Sequence, residues 1–305
     1  MSLMRKTPAD RMYQALFYFV LTLLAFSTLY PFIYFLAISF NDGRDALKGG
    51  IYFFPRMFST ENYMRAFEYP FILDSFIVTI TRTISVTVTS VFLTALMAYA
   101  LTIKTLPFRR QLLFFFYFTT LFSGGLIPTF ILYRQIKIFN TFWVLFLPFL
   151  VNFWHTLIMR AYFNGIPASL SESARIDGAS ELRIFLWIII PLALPVIATI
   201  SLYNGVGAWN DWFTGAFFVS SNQLRPAATR LQQIIAEASF ESSQIVSGAN
   251  TQNVNEALQS TRLTGATPES LRMAFIIITI TPIICVYPFL QKYFVKGVMV
   301  GSIKE

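Results

Sequence analysis

Charge is scarce in this 305-residue chain: Asp, Glu, Lys and Arg together make up 12% of it. A soluble domain keeps roughly a quarter of its residues charged to wet its surface, so half that share excludes an ordinary aqueous exterior. Cysteine is nearly absent. Cys285 stands alone, which excludes an internal disulfide framework and a cysteine metal cluster; lying in an apolar run, it reads as a small buried hydrophobe. His155 is the only histidine. With no second His or Cys beside it, it is a poor metal ligand, and its default role is a polar contact between helices. There is no G-x-x-x-x-G-K-[ST] phosphate loop either, since Gly297 and Gly301 lack the second half of that pattern, so the chain cannot hydrolyse ATP by that route.

What is abundant is apolar surface. Hydrophobic residues make up 55% of the chain, with 34 phenylalanines and a mean hydropathy of +0.59, the composition of a protein whose solvent is largely hydrocarbon. A spanning helix needs about 20 apolar residues. Six stretches qualify, near residues 14–40, 72–103, 111–133, 142–163, 184–207 and 271–291. The first begins near Ala15, is too long for a cleavable signal and lacks an A-x-A exit. The expectation is an all-α polytopic membrane protein: a segment 1–13, a membrane domain 14–291 and a tail 292–305. Pro191 and Pro195, one turn apart, predict a bend in the fifth span.

The net charge of +8 does not point to nucleic acid, because the basic residues lie in short clusters between apolar runs. With the N-terminus inside, the cytoplasmic segments hold twelve Lys or Arg, including Arg5, Lys6, Arg109, Arg110, Arg175 and Arg183. The longer outer segments hold nine, of which Arg134 and Lys137 run against the rule. Both termini are expected inside. Two long outer loops follow, at 41–71 and 221–270. In the second, Leu231, Ile234, Ile235 and Ala238 recur at helical spacing, the mark of an amphipathic helix along the outer interface.

The most informative stretch runs from Ile166 to Ser180, inside the cytoplasmic loop 164–185. Ser169 with Glu172 has the spacing of a capping box, with Pro167 just outside it. Gly178 supplies a residue able to take positive φ at a helix C-terminus. Ser180 is placed to cap a second helix that runs through Leu182 and Phe185 into the fifth span. Two turns are marginal alone in water, so specifying both ends predicts a short rigid lever against a partner. The alternative is an ordinary capped connection between two spans.

Glu172-Ser173-Ala174, then Asp177-Gly178-Ala179-Ser180, then Phe185, Ile188 and Pro191 resembles the EAA loop of permease subunits of binding-protein-dependent ABC importers. That pattern reads E-A-A-x-x-D-G-A with a downstream I-x-x-P; Ser173 replaces its central Ala. The likeness continues in Phe122-Ser123-Gly124-Gly125-Leu126-Ile127-Pro128-Thr129, in Trp209-Asn210-Asp211-Trp212, and in the run from Tyr287 to Gly297. Together these are similar to carbohydrate permeases, most of all to the lipoprotein/polysaccharide branch that includes alginate and oligosaccharide permeases.

The resemblance implies a type I importer fold of six spans with both termini cytoplasmic. It implies a second permease subunit, two ATP-binding cassette ATPases that carry the ATP and Mg, and an extracellular solute-binding protein, with no cofactor on this chain. Glu172, Ser173, Ala174, Asp177, Gly178 and Ala179 would couple to the ATPase, and Gly301 to Glu305 would reach the same interface. Sugars are held by aromatic faces and by amide or carboxylate hydrogen bonds, so Tyr203, Asn204, Trp209, Asn210, Asp211 and Trp212 are substrate-path candidates; the competing role for the tryptophans is interfacial anchoring. Arg82, inside the second span, either snorkels, pairs with Asp74 or faces a water-filled path. A self-contained secondary transporter would show internal repeats and intramembrane acids for ion coupling, and neither is present. A membrane enzyme would need paired acids or a nucleophile with its base, which Arg82 and His155 do not make.

Overall fold

The computed structural model describes residues 8–247 and 266–302. Among these the regular secondary structure is helical apart from one bridge, Asn41 to Phe58. In chain order the principal helices are α1 (Pro8–Ser39), α2 (Glu61–Glu68), α3 (Ile72–Ala100), α4 (Arg109–Leu121), α5 (Leu126–Gln135), α6 (Phe142–Phe146) and α7 (Phe153–Asn164). They continue with α8 (Ala168–Ile176), α9 (Glu181–Ile184), α10 (Leu194–Asn210), α11 (Phe213–Phe218), α12 (Ala227–Ser247) and α13 (Pro268–Ser302).

Three continuous stretches are long and apolar enough to cross a membrane: Asp10–Ser39, Ile72–Ala100 and Pro268–Val286. Three bent pairs pass the same test together, giving up to six spans among the described residues if each pair is one span. The expected third span is not one helix. α4 and α5 meet at 114°, because Gly125 takes φ +84° ahead of α5 and Pro128 sits where a helix start needs no donor. Pro148 splits the fourth span, where α6, a 3-10 turn over Leu147–Phe149 and α7 bend by 41°. In the fifth, α9 widens into a π-helical stretch, Phe185–Ile189, and breaks by 83° at Ala193. Pro191 has no N–H to close the ladder, and a π turn ahead of it absorbs the loss.

The described residues fall into two compact units, one drawn from Met1–Tyr69 and Ile234–Ile278, the other from Pro70–Gln233 and Thr279–Glu305. In the first, α1 carries no buried side chain over its apolar window and is held at its end. There Ala37, Ile38, Ile51 and Met273 form a small core. Beside it lies a polar knot that composition could not foretell. Buried Asn62 donates to the carbonyls of Ser39 (3.0 Å) and Asn41 (2.8 Å), and accepts from Ser270 Oγ at 2.7 Å. Asn41 accepts from the backbone N–H groups of Arg56 and Met57 at 2.8 and 2.9 Å. Asp45 accepts from Arg56 Nε at 3.0 Å. Burial opposes ionisation of Asp45, yet hydrogen bonds from Asn41 and Arg56 and the charges of Arg56 and Lys48 hold its carboxyl below its usual range.

The second unit is organised on α3, against which α10 and α7 pack. Ser75, Thr79, Arg82, Val86, Ser90, Thr94 and Ala98 are buried along it, one stripe at three- and four-residue spacing. Small residues on such a stripe let helices approach closely in lipid. At Gly205 of α10 a Cβ would lie 3.3 Å from Thr87 Oγ1, and Asn204 donates to Ser90 Oγ at 3.2 Å. The apolar core of this unit gathers at the C-terminal half of α3, with Ala98, Tyr99, Met159, Ile184, Phe185 and Ile200.

Leu231, Ile234 and Ile235 lie in α12, where Ile234 is buried; residues 248–265 of the same polar stretch lie outside the described residues, as do Met1–Thr7 and residues 303–305 of the tail. Cys285 corrects the expectation of burial: it is exposed. In a spanning helix an apolar sequence environment is as readily lipid as protein interior.

Candidate functional site

Two constellations of the second unit carry the residues singled out by sequence. The first is the segment expected to act as a lever. α8 is nine residues long, about 13 Å at 1.5 Å per residue. Its N-terminus differs from expectation. Pro167 is the capping residue, Leu170 N–H bonds to Pro167 O at 3.2 Å, and no side chain caps the helix. Ser169 therefore sits inside the first turn and forms no capping box. The C-terminus is as the sequence predicts, with Gly178 at φ +81°. Ala179 N–H reaches Ala174 O at 2.9 Å and Gly178 N–H reaches Arg175 O at 3.0 Å, which is a Schellman motif. Ser180 caps α9 through Arg183 N–H at 3.4 Å.

The lever's two sides differ. Ala174 and Ala179 pack against the core that contains Tyr99 and Phe185. Glu172, Ser173, Asp177 and Gly178 are exposed, and Ile176 is 87% exposed. Ser173 faces away from the core and half-buried Ala174 packs on it: within the E-A-A triplet it is the third position that meets a neighbour. Beyond Gly178, Arg175 Nε donates to Glu181 Oε1 at 2.6 Å and its Nη2 to Oε2 at 3.3 Å. Tyr99 Oη donates to Glu181 Oε2 at 2.6 Å. The hydrogen bonds to Glu181 outweigh partial burial and hold the Arg175 guanidinium above its ordinary pKa. Neither Glu181 nor Tyr99 was singled out by sequence. Their partners lie 6 and 82 residues away, and only the Arg175–Glu181 spacing offered a signal.

The second constellation surrounds Arg82, which is completely buried. Its Nε donates to Leu145 O at 2.8 Å, its Nη1 to Asp211 O at 3.3 Å and its Nη2 to Asp211 Oδ2 at 2.5 Å. The guanidinium lies 4.7 Å from the centroid of Phe149, a cation–π distance. Asp211 Oδ1 also accepts from Thr214 N–H at 3.2 Å, at the start of α11. Arg82 thus joins α3, the α6 segment and the α10–α11 junction. Pairing with Asp74 is excluded by geometry. Eight residues advance a helix by about 12 Å, beyond the reach of a direct bond from Arg to Asp on the same helix.

The other path candidates divide. Asn204 and Trp209 are buried, the latter donating from Nε1 to Thr279 O at 3.1 Å. Tyr203, Asn210 and Trp212 present surface, and Tyr203 stacks on His155 with centroids 5.9 Å apart. His155 accordingly makes a ring contact between α7 and α10. Next to the Arg82 knot is a cavity of about 350 Å³. It is lined by Ser123, Gly125 and Thr129 of the α4–α5 break, together with Tyr133, Phe149 and Thr214 among others. The segment Phe122–Thr129, which the sequence marks only by its family likeness, thus forms part of the cavity wall at the kink.

Residues 90–300 match the family described as "Binding-protein-dependent transport system inner membrane component". The chain belongs to this family. It is a membrane permease component, and the ATP hydrolysis of such a system lies with a separate ATPase. A partner permease and a solute-binding protein complete the assembly in general form. The permease is similar to the polygalacturonan/rhamnogalacturonan transport system permease protein YtcP of Bacillus subtilis, 35% identical over 97% of this chain and 99% of that one. It is similar also to the maltodextrin transport system permease protein MdxG of the same organism, at 26% identity over 94% and 95%. Among solved structures it matches a chain of a bacterial ABC transporter involved in the import of the acidic polysaccharide alginate. That match has a TM-score of 0.84 and 29% identity, covering 94% of this chain and 98% of that one.

Proposed function

We propose that this permease forms one half of the translocation path for an oligosaccharide or polysaccharide, beside a second and different permease chain. Its drive comes from two ATP-binding cassette subunits carrying ATP and Mg, through α8 and the turn at Gly178. The observation that carries this reading is the two-sidedness of the lever: alanines inward, Glu172, Ser173 and Asp177 outward, both ends set by backbone geometry. The names of the relatives, polygalacturonan, maltodextrin and alginate transporters, support a sugar. In this reading loop 164–185 and the tail 292–305 face the cytoplasm, and 41–71 and 221–270 face outward toward the binding protein. The exposed Tyr203, Asn210 and Trp212 line the path, while Arg82, Asn204, Trp209 and Asp211 hold its wall in shape.

Two measurements test this. Cells lacking the chain should lose uptake of labelled trigalacturonate or maltotriose; undiminished uptake of both would overturn the assignment to sugars. Gly178→Val places a β-branched residue in the left-handed region, at a cost of about 1–2 kcal/mol, and should abolish uptake while the protein still inserts. Normal uptake by that variant would sink the lever.

A further inference from the structure

We infer that the Glu181 carboxylate is a clasp that locks the lever to the membrane helices, so that a push on α8 moves α3 and the fifth span as one body. This rests on the coupling role proposed for α8 and adds the residues that make the lever stiff. Between α8 and α9 the chain passes through Gly178, at φ +81°, a residue whose missing Cβ gives it wide conformational freedom. Nothing in the covalent chain stops the lever from swinging there. The Schellman hydrogen bonds close the turn itself, but they do not attach α8 to any other helix.

Ala174 contributes a single small apolar contact to the core; Glu181 supplies the hydrogen-bonded attachment. It is the first residue of α9, just past the turn. Oε1 accepts from Arg175 Nε in the last turn of the lever, and Oε2 accepts from Tyr99 Oη in the last turn of α3 as well as from Arg175 Nη2. Three elements meet on one side chain. The arrangement is specific in a second way: Tyr99 also packs on Phe185 of the fifth span, centroids 5.3 Å apart, so its hydroxyl is aimed by a buried ring.

The far end of the same pair of helices is tied as well. Arg82 lies 17 positions before Tyr99 on α3, about 25 Å along the axis, and binds Asp211 at the end of α10. Between the two, Asn204 bonds to Ser90. α3 and the bent fifth span are therefore fastened at three levels, at Arg82, Ser90 and Tyr99 of α3. The clasp is the only one of these fastenings that includes the lever. Its ion pair is 42% and 46% exposed, so it contributes little to folding, and its role is positional.

The test uses the full importer, with its partner permease and ATPases, in nanodiscs. Spin labels replace Ser169 on the lever and Val88, on the exposed side of α3, in a Cys285→Ser background. The native complex should give one narrow distance distribution. Glu181→Gln and Tyr99→Phe should each broaden it, by about twofold if the lever swings on its glycine, with no change in thermal midpoint. The double variant should be no broader than Glu181→Gln alone, because Tyr99 acts through that carboxylate. An unchanged width in Glu181→Gln, or broadening that appears only with loss of the assembled complex, would overturn the clasp. Immobilisation of the Ser169 label by the ATPases tests the parent reading separately. If it is immobilised and the widths do not change, only the clasp fails; if it stays mobile in the complete assembly, the coupling role itself fails.

Discussion

Two arginine–carboxylate pairs of the permease touch α3, one within the helix at Arg82 and one through Tyr99 in its last turn, and they could hardly be less alike. Arg82–Asp211 has side chains 0% and 15% exposed; Arg175–Glu181 has 42% and 46%. The first is surrounded by a carbonyl, an aromatic face and a helix start, each of which uses up a donor or acceptor. The second sits in water-accessible surroundings with a single further partner, Tyr99. A buried pair is costly to break because the survivor keeps its charge without its partner. An exposed pair is worth little to folding and much to geometry, since it chooses one orientation among several of nearly equal energy. In the function proposed here, the difference separates a residue that builds the wall of the path from one that aims a moving part.

The largest expected effect follows at the buried end. Arg82→Leu strands Asp211 and leaves the Leu145 carbonyl without its donor, a loss of about 3–5 kcal/mol for a broken buried pair. The thermal midpoint of the purified permease should fall sharply, and Asp211→Leu in the same chain should recover part of it. A variant as stable as the native protein would erase the contrast between the two pairs. A smaller effect is expected on the lever's inner side. Ala174→Leu forces a larger side chain against the core beside Tyr99, and overpacking costs about 1–3 kcal/mol. Because α8 is short and its other side is free, the lever should tilt away, lowering uptake more than stability. Ser173→Ala, on the exposed side, should leave both as they were. Equal behaviour of the two variants would show that the two sides of the lever are not distinct.

How much of this could be seen in the sequence depends on how local each requirement is. Gly178 and Ser180 were legible because a left-handed cap and a helix N-cap are decided by the residue itself and its neighbours. Ser169 misled for the same reason: its spacing to Glu172 suits a capping box, but Pro167 claims the cap two residues earlier. Arg82 was recognisable as an anomaly in an apolar helix, yet its partner lies 129 residues away, and no periodicity points that far. The knot of Asn41, Asn62 and Ser270 was wholly hidden, with 208 residues between two of its members. Six apolar runs were countable in the sequence, whereas the 114° break between α4 and α5 was not visible there. Hydrophobicity reports that a segment lies in lipid; it is silent on where two glycines let the helix stop.

The smallest expected effect is also the one that separates the two pairs most cleanly. Arg175→Ala should cost less than about 1 kcal/mol of stability, the usual range for an exposed pair, so a melting curve alone would miss it. Salt makes it visible. The screening length shrinks from about 10 Å at 0.1 M to about 3 Å at 1 M, which weakens attraction between charges that water can reach. Arg82 is beyond the reach of mobile ions, so its variants should lose the same stability at both salt concentrations. For Arg175 the expectation is different: the native protein at high salt should come to resemble Arg175→Ala at low salt in lever mobility, and the variant itself should respond little to salt. A native lever indifferent to 1 M salt would mean that Tyr99 and the Schellman turn hold α8 without the arginine, and the charge at 175 would then belong to the partner ATPase instead of the clasp.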